Sequence, residues 1–223
     1  MPNDRPVRGV LFDFNGTLFF DTPFHMEAWT KVYMELRGEK EQTPKDDFFR
    51  GPRNDALIQV IAPQMTKEER KACSIRKEAV YREICRKNPE QVHLAPGAEE
   101  LFAAIKNQGI PFTLATASIL DNMNFYFEMF PLNRWFEREQ CVYDDGNYEN
   151  KGAMHLEAAR RLGVPFQKCL VVEDSTKSIR QAKENGAGKV IGIGGKETHP
   201  GLLRAGADDC ICDFREFDLR WLE

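Results

Sequence analysis

Four places in this chain carry side chains that could do chemistry together. Asp13 closes the apolar run Val10-Leu11-Phe12 and is followed by Asn15, Gly16 and Thr17. Thr116, Ala117 and Ser118 close a second apolar run, Ile110 to Ala115. Lys151 lies in a loop at the start of a helical segment, and Glu173 and Asp174 close a third apolar run, Cys169 to Val172. Three carboxylates near one point repel each other unless a cation lies among them. An all-oxygen set favours a hard ion, and Mg²⁺ is the usual one where phosphate is the substrate. With that charge neutralised, Asp13 could attack phosphorus as a nucleophile. Lys151 would offset the charge on nucleophile and phosphate. Thr116 and loop N–H groups would hold the phosphate oxygens.

Such residues must be delivered to one place, and the pattern around them predicts how. Apolar runs ending in polar residues read as buried parallel strands: Val7–Phe12, Ile110–Ala115, Cys141–Tyr143, Cys169–Val172, Lys189–Ile193 and Asp209–Cys212. Between the later ones lie amphipathic segments over Glu99–Asn107, Leu120–Met129, Gly152–Leu162 and Ile179–Glu184, stopped by Gly109, Gly163 or Asn185-Gly186. Alternating strand and helix predicts an α/β fold, a doubly wound parallel sheet with helices on both faces. In such sheets ligands bind at the carboxyl ends of the strands, where the four groups fall. No strand pattern appears between Gly38 and Asn88. Helical spacing recurs there, with Asp21, Thr22 and Pro23 as a helix start and Thr66 with Glu69 as a second. Residues 1–22 and 95–223 are therefore expected to form the α/β core, and 23–94 a small inserted all-helical domain.

Bulk properties narrow the function. The chain has 223 residues, 42% hydrophobic and 30% charged, with a formal net charge of -4. That balance describes a soluble globular protein and argues against a nucleic-acid or membrane-surface partner. No run is long enough for a transmembrane helix. The opening Met-Pro-Asn-Asp-Arg-Pro holds no apolar leader, so the cytoplasm is the expected location and a monomer the expected state. The six cysteines lack zinc-site spacing and read as reduced thiols, Cys210 and Cys212 as strand packing.

Taken together, the four places resemble the motifs of the haloacid dehalogenase superfamily, in particular its β-phosphoglucomutase-like branch. Asp13-Phe-Asn15-Gly16-Thr17 matches the first motif, Asp-x-Asp-Gly-Thr/Val, with one departure. Leu-Ala-Thr116-Ala117-Ser118 matches the second, Lys151 the third and Glu173-Asp174-Ser175 the fourth. Asp21, Thr22, His25, Ala28 and Trp29 match a further signature of the branch, and Arg50-Gly51-Pro52-Arg53-Asn54 matches a substrate-reading loop. The resemblance implies a helical cap where the helical block sits. It implies phosphate hydrolysis or transfer on a small phosphorylated metabolite through an aspartyl-phosphate on Asp13. Mg²⁺ would be held by Asp13, the Asn15 carbonyl, Glu173 and Asp174. Gly16, Thr17, His25, Arg53, Ala117 and Ser118 would face the substrate, the Arg53 guanidinium suiting a phosphate.

The departure is Asn15. In the family the acid at that position protonates the leaving oxygen and later deprotonates the attacking hydroxyl. Asn keeps a carbonyl and hydrogen-bonding capacity but carries no proton, and losing such a group costs on the order of 10²–10⁴ in rate. Four readings stay open: a slow phosphatase for good leaving groups, a relocated proton carrier such as His25, a phosphate-binding or regulatory relative, or an introduced Asp-to-Asn change. A phosphonate-cleaving relative would need a cap lysine, for which Lys45 and Lys77 are formal candidates.

Overall fold

The computed structural model describes residues 6–38, 44–49 and 53–223, with only the backbone of Asp46 and Asp47. The chain divides into two compact units, Met1–Phe20 with His93–Glu223, and Asp21–Val92.

The larger unit is built on six parallel strands: β1 (Gly9–Phe12), β2 (Phe112–Ile119), β3 (Val142–Asp144), β4 (Cys169–Glu173), β5 (Lys189–Ile193) and β6 (Asp209–Ile211). Their order is β3-β2-β1-β4-β5-β6. The winding runs outward from β1 in one direction through β2 and β3, and in the other through β4 to β6. The β1–β4 junction is therefore where strand order reverses, the place such sheets bind ligands. Phe12 pairs with Val172, so the residues just beyond, Asp13 and Glu173, leave the sheet side by side.

Alternation along the strands sends successive side chains to opposite faces. Leu11, Ala115, Val171 and Val190 form one buried cluster with Met154, Ala158, Ile179, Ala182 and Leu202. These last come from α6 (Lys151–Leu162), α7 (Thr176–Glu184) and α8 (His199–Ala205). Phe12 faces the other way, its ring 5.3 Å from Phe102 of α4 (Ala98–Asn107) and 5.9 Å from Phe214, both edge-on. Helices thus cover both faces, as the alternating pattern predicts. α5 (Leu120–Met129) follows β2 directly.

The second unit holds α1 (Thr22–Arg37), α2 (Asn54–Ile61) and α3 (Lys67–Lys87). A capping box closes the start of α3: the Thr66 side chain accepts from Glu69 N–H while the Glu69 carboxylate accepts from Thr66 N–H. All six cysteines are free thiols. Burial pushes the Cys85 and Cys169 thiols up to about 12, so both stay protonated. No helix of the described residues is long and apolar enough to cross a membrane.

Candidate active site

Asp13 is the first residue past β1, its N–H donating to Val172 O at 3.1 Å. The chain then turns tightly: Phe14 O accepts from Leu18 and Phe19 N–H, both at 2.9 Å. Gly16 sits in the left-handed region, φ +73°, and a Cβ there would lie 2.2 Å from Asp174 Oδ2. Only glycine lets this loop lie against the Asp174 carboxylate. Thr17 Oγ1 is buried without a hydrogen-bond partner among the described residues, a donor open to a ligand oxygen.

Lys151 is the first residue of α6, not a loop residue before it, because the Asn150 side chain caps the helix by accepting from Ala153 N–H at 3.1 Å. A cation at a helix N-terminus opposes the helix dipole. The compensation comes from Asp13 Oδ1, which the ammonium touches, and from Glu173 Oε1 at 3.2 Å. Glu173, the last residue of β4, accepts a further hydrogen bond on Oε1 from His155 Nε2 at 3.2 Å. Burial alone would raise the Glu173 carboxyl. The Lys151 charge and the His155 hydrogen bond outweigh it and hold the group below the usual carboxylate range. Burial pushes Asp13 the other way, to about 7, with the Glu173 charge adding to the rise and Lys151 opposing it.

Asp13, Glu173 and Asp174 each offer a carboxylate oxygen, and these atoms lie within 4.8 Å of one another. Three acids against one lysine, all oxygen donors, fit a hard divalent cation.

Asn15 faces a different set of partners. Its Nδ2 donates to Tyr126 Oη at 2.6 Å, and Ser118 Oγ donates to its Oδ1 at 2.6 Å. Ser118 Oγ and Tyr126 Oη lie 3.1 Å apart. The three side chains close a hydrogen-bonded ring. Thr116 Oγ1 accepts from Ser118 N–H at 3.2 Å and lies 3.5 Å from Asn15 Oδ1. Thr116, Ala117 and Ser118 lie within β2, which runs on to Ile119, rather than just past it. Ala117 is exposed, whereas Thr116 and Ser118 are buried.

Of the residues singled out from sequence, Asp13, Lys151, Glu173 and Asp174 form one group. Asn15, Thr116 and Ser118 form a second, starting from the same loop. His25 and Arg53 belong to the helical unit. His25 Nδ1 accepts from Lys77 Nζ at 2.6 Å, and its Nε2 meets Asp21 Oδ2 at 3.2 Å. Tyr81 stacks on its ring at 4.0 Å and donates to the same Asp21 oxygen at 2.6 Å. Lys77 also donates to Glu78 Oε1 at 2.9 Å, so its candidacy as a cap lysine for phosphonate cleavage starts from a buried ammonium already held by two partners. Arg53 is exposed at the start of α2. Arg50, Gly51 and Pro52 of the same loop lie outside the described residues. Sequence reasoning missed Tyr126 and His155. His155 carried a signal: it lies four residues after Lys151, on the same helix face.

The Asp13 shift predicts a pH effect on stability. Between about 4 and 7 the folded, metal-free protein holds a proton on Asp13 that the unfolded chain releases. Stability therefore falls through this group as pH rises toward 7. Between pH 5.5 and 7 the loss is on the order of 2 kcal/mol, at about 1.4 kcal/mol per unit. Thermal melts in chelator at pH 5.5 and 8 should show Asp13→Asn gaining on wild type at the higher pH. Equal pH slopes would contradict the shift.

A doubly wound sheet with acids and a lysine gathered where strand order reverses defines an α/β enzyme that handles anionic ligands. The chain belongs to the haloacid dehalogenase-like hydrolases, whose family profile matches residues 7–186. A haloacid dehalogenase hydrolase, family IA, variant 3 from Entamoeba histolytica is 33% identical, with a TM-score of 0.89 over 96% of this chain and 97% of that one. A probable pseudouridine-5'-phosphatase of Drosophila melanogaster is 29% identical over 82% of this chain and 80% of its own length. The fold also matches a β-phosphoglucomutase from Clostridium difficile, with a TM-score of 0.75 at 19% identity over 97% of this chain and 95% of that one. The protein is thus a haloacid dehalogenase-like phosphohydrolase, with the fold that the β-phosphoglucomutase structure also has.

Proposed function

We propose that the protein releases or transfers phosphate from a small phosphorylated metabolite, a sugar phosphate being the class best supported, with Asp13 as nucleophile. The observation that carries this reading is the placement of Asp13. Its carboxylate is buried against Lys151, beside Glu173 and Asp174, at the reversal point of the sheet. Similarity to phosphatases named for phosphorylated carbohydrates and for hexitols supports the substrate class.

In this reading an Asp13 oxygen attacks phosphorus and the ester P–O bond breaks, leaving an aspartyl-phosphate on Asp13. Lys151 stays with Asp13 and balances the charge gathered there. Thr116 and Thr17 supply hydroxyls, and Gly16 lets the loop's N–H groups approach the phosphate oxygens. Asp13, the Asn15 carbonyl, Glu173 and Asp174 would hold Mg²⁺, which when bound neutralises phosphate charge and polarises the phosphoryl group. Water then cleaves the aspartyl-phosphate, or a second hydroxyl of the metabolite accepts the phosphoryl group. Arg53 reads a second phosphate or the sugar.

A panel of sugar and nucleoside phosphates with Mg²⁺, with and without chelator, tests the proposal. Chelator-sensitive phosphate release from at least one member is expected. Arg53→Ala should raise KM for that substrate about tenfold or more with less change in kcat, the loss of a charge-assisted contact. Inactivity across the panel alongside measurable phosphate binding would favour a binding protein instead.

A further inference from the structure

We propose that His155 is a positioning residue, holding Glu173 as a cation ligand independently of Lys151. The inference rests on the proposed metal-binding role of the three carboxylates.

Two donors reach the same Glu173 oxygen, Lys151 Nζ and His155 Nε2, each at 3.2 Å. They lie one helical turn apart on α6, so a single helix face aims both at the end of β4. Their obligations differ. Lys151 is divided between Glu173 and Asp13, the group that reacts. A phosphoryl group arriving on Asp13 draws that ammonium toward itself. His155 has no such second claim: its Nε2 meets Glu173, and its buried Nδ1 has no hydrogen-bond partner among the described residues. It therefore keeps Glu173 fixed whatever Lys151 does.

The tautomer follows from the same contact. A carboxylate oxygen can only accept, so Nε2 carries the proton and Nδ1 holds the unshared pair. Burial lowers the imidazole's proton affinity, keeping the ring neutral. The side chain is fully buried and lies nearly parallel to Phe166, ring centres 6.5 Å apart. An apolar ring would fill this place without leaving a buried nitrogen unpaired. The imidazole is costly there, and Glu173 is the one polar group it serves.

Manganous ion, whose free form is counted directly by electron paramagnetic resonance, is the probe. His155→Phe keeps the ring and deletes the donor. His155→Gln places an amide N–H near the position of Nε2, whereas His155→Asn is too short to reach Glu173. The Mn²⁺ dissociation constant should rise about 10–100-fold in the Phe and Asn variants and stay close to wild type in the Gln variant. Folding is checked by thermal melts in chelator. If the Phe variant does not fold, the Gln–Asn contrast decides alone. Folded Phe or Asn variants that bind Mn²⁺ like wild type, or a Gln variant as weak as Asn, would overturn the role of His155 and leave the metal reading intact. A wild-type protein that binds no Mn²⁺ would overturn both.

Discussion

Asp13→Asn abolishes Mg²⁺-dependent release of phosphate from an activated ester such as p-nitrophenyl phosphate, a loss of at least about 10⁴-fold. The substitution removes the attacking oxygen's charge, and with it the charge Asp13 offers to the cation and to Lys151, but keeps the shape of the side chain. Asn matches Asp in shape, the backbone hydrogen bond from residue 13 to Val172 is unaffected, and Glu173 remains as a partner for Lys151. The variant should therefore fold, and in chelator at pH 8 it should melt above wild type, because an ionised Asp13 is unfavourable in its buried setting. A loss of function with a gain of stability separates a reacting group from a structural one. Residual activity near the wild-type rate would sink the nucleophile assignment. Mass spectrometry after exposure to acetyl phosphate gives an independent reading. A phosphoryl adduct is expected on wild type, through attack of the Asp13 carboxylate and departure of acetate, and none on the variant.

The parts of this site that could be read from sequence are those announced by a change of pattern. Val10-Leu11-Phe12 stops at Asp13, and Cys169–Val172 stops at Glu173; a buried strand that ends in an acid shows its exit point in one dimension. Lys151 stood beside a helix start, and the Asn150 cap moved it only one position, onto the helix. The strand order was not legible, since nothing local distinguishes a strand that pairs with its predecessor from one that crosses to the far side of β1. Thr116 to Ser118 were expected just past a strand. They lie inside it because β2 goes on pairing with β3 as far as Ile119↔Asp144, across an irregular register. Tyr126 was hidden among aromatic neighbours, Phe125 and Phe127, any of which the helical period could have turned toward the site. Its ring stacks on Phe14, 4.1 Å away, with its hydroxyl at Asn15. α8 spans seven residues, too few to be stable by itself, and depends on Leu202 reaching the sheet-face cluster.

Asn15→Asp raises kcat for an alkyl phosphate such as a sugar phosphate by on the order of 10²–10⁴, with a smaller gain for p-nitrophenyl phosphate, which needs only the base that activates water. The difference between substrates lies in the leaving group: an alkoxide needs a proton as it departs, and a nitrophenolate does not. Asn supplies none, so the ratio of the two rates measures what the missing acid would contribute. The hydrogen-bond ring sharpens this expectation. A carboxylate at position 15 has no N–H for Tyr126, so the phenol must turn and donate to it, while Ser118 continues to donate. Two O–H donors favour the ionised form and hold the new acid's pKa down, which limits it as a proton donor near neutral pH. Adding Tyr126→Phe removes one donor. The alkaline limb of the sugar-phosphate pH–rate profile, where the acid has lost its proton, should then move to higher pH in the double variant than in Asn15→Asp alone. A flat response to Asn15→Asp, together with loss of activity in His25→Ala, would place the proton carrier in the helical unit instead. There the imidazole already spends both nitrogens on Lys77 and Asp21, so it would have to break one of those contacts in each cycle.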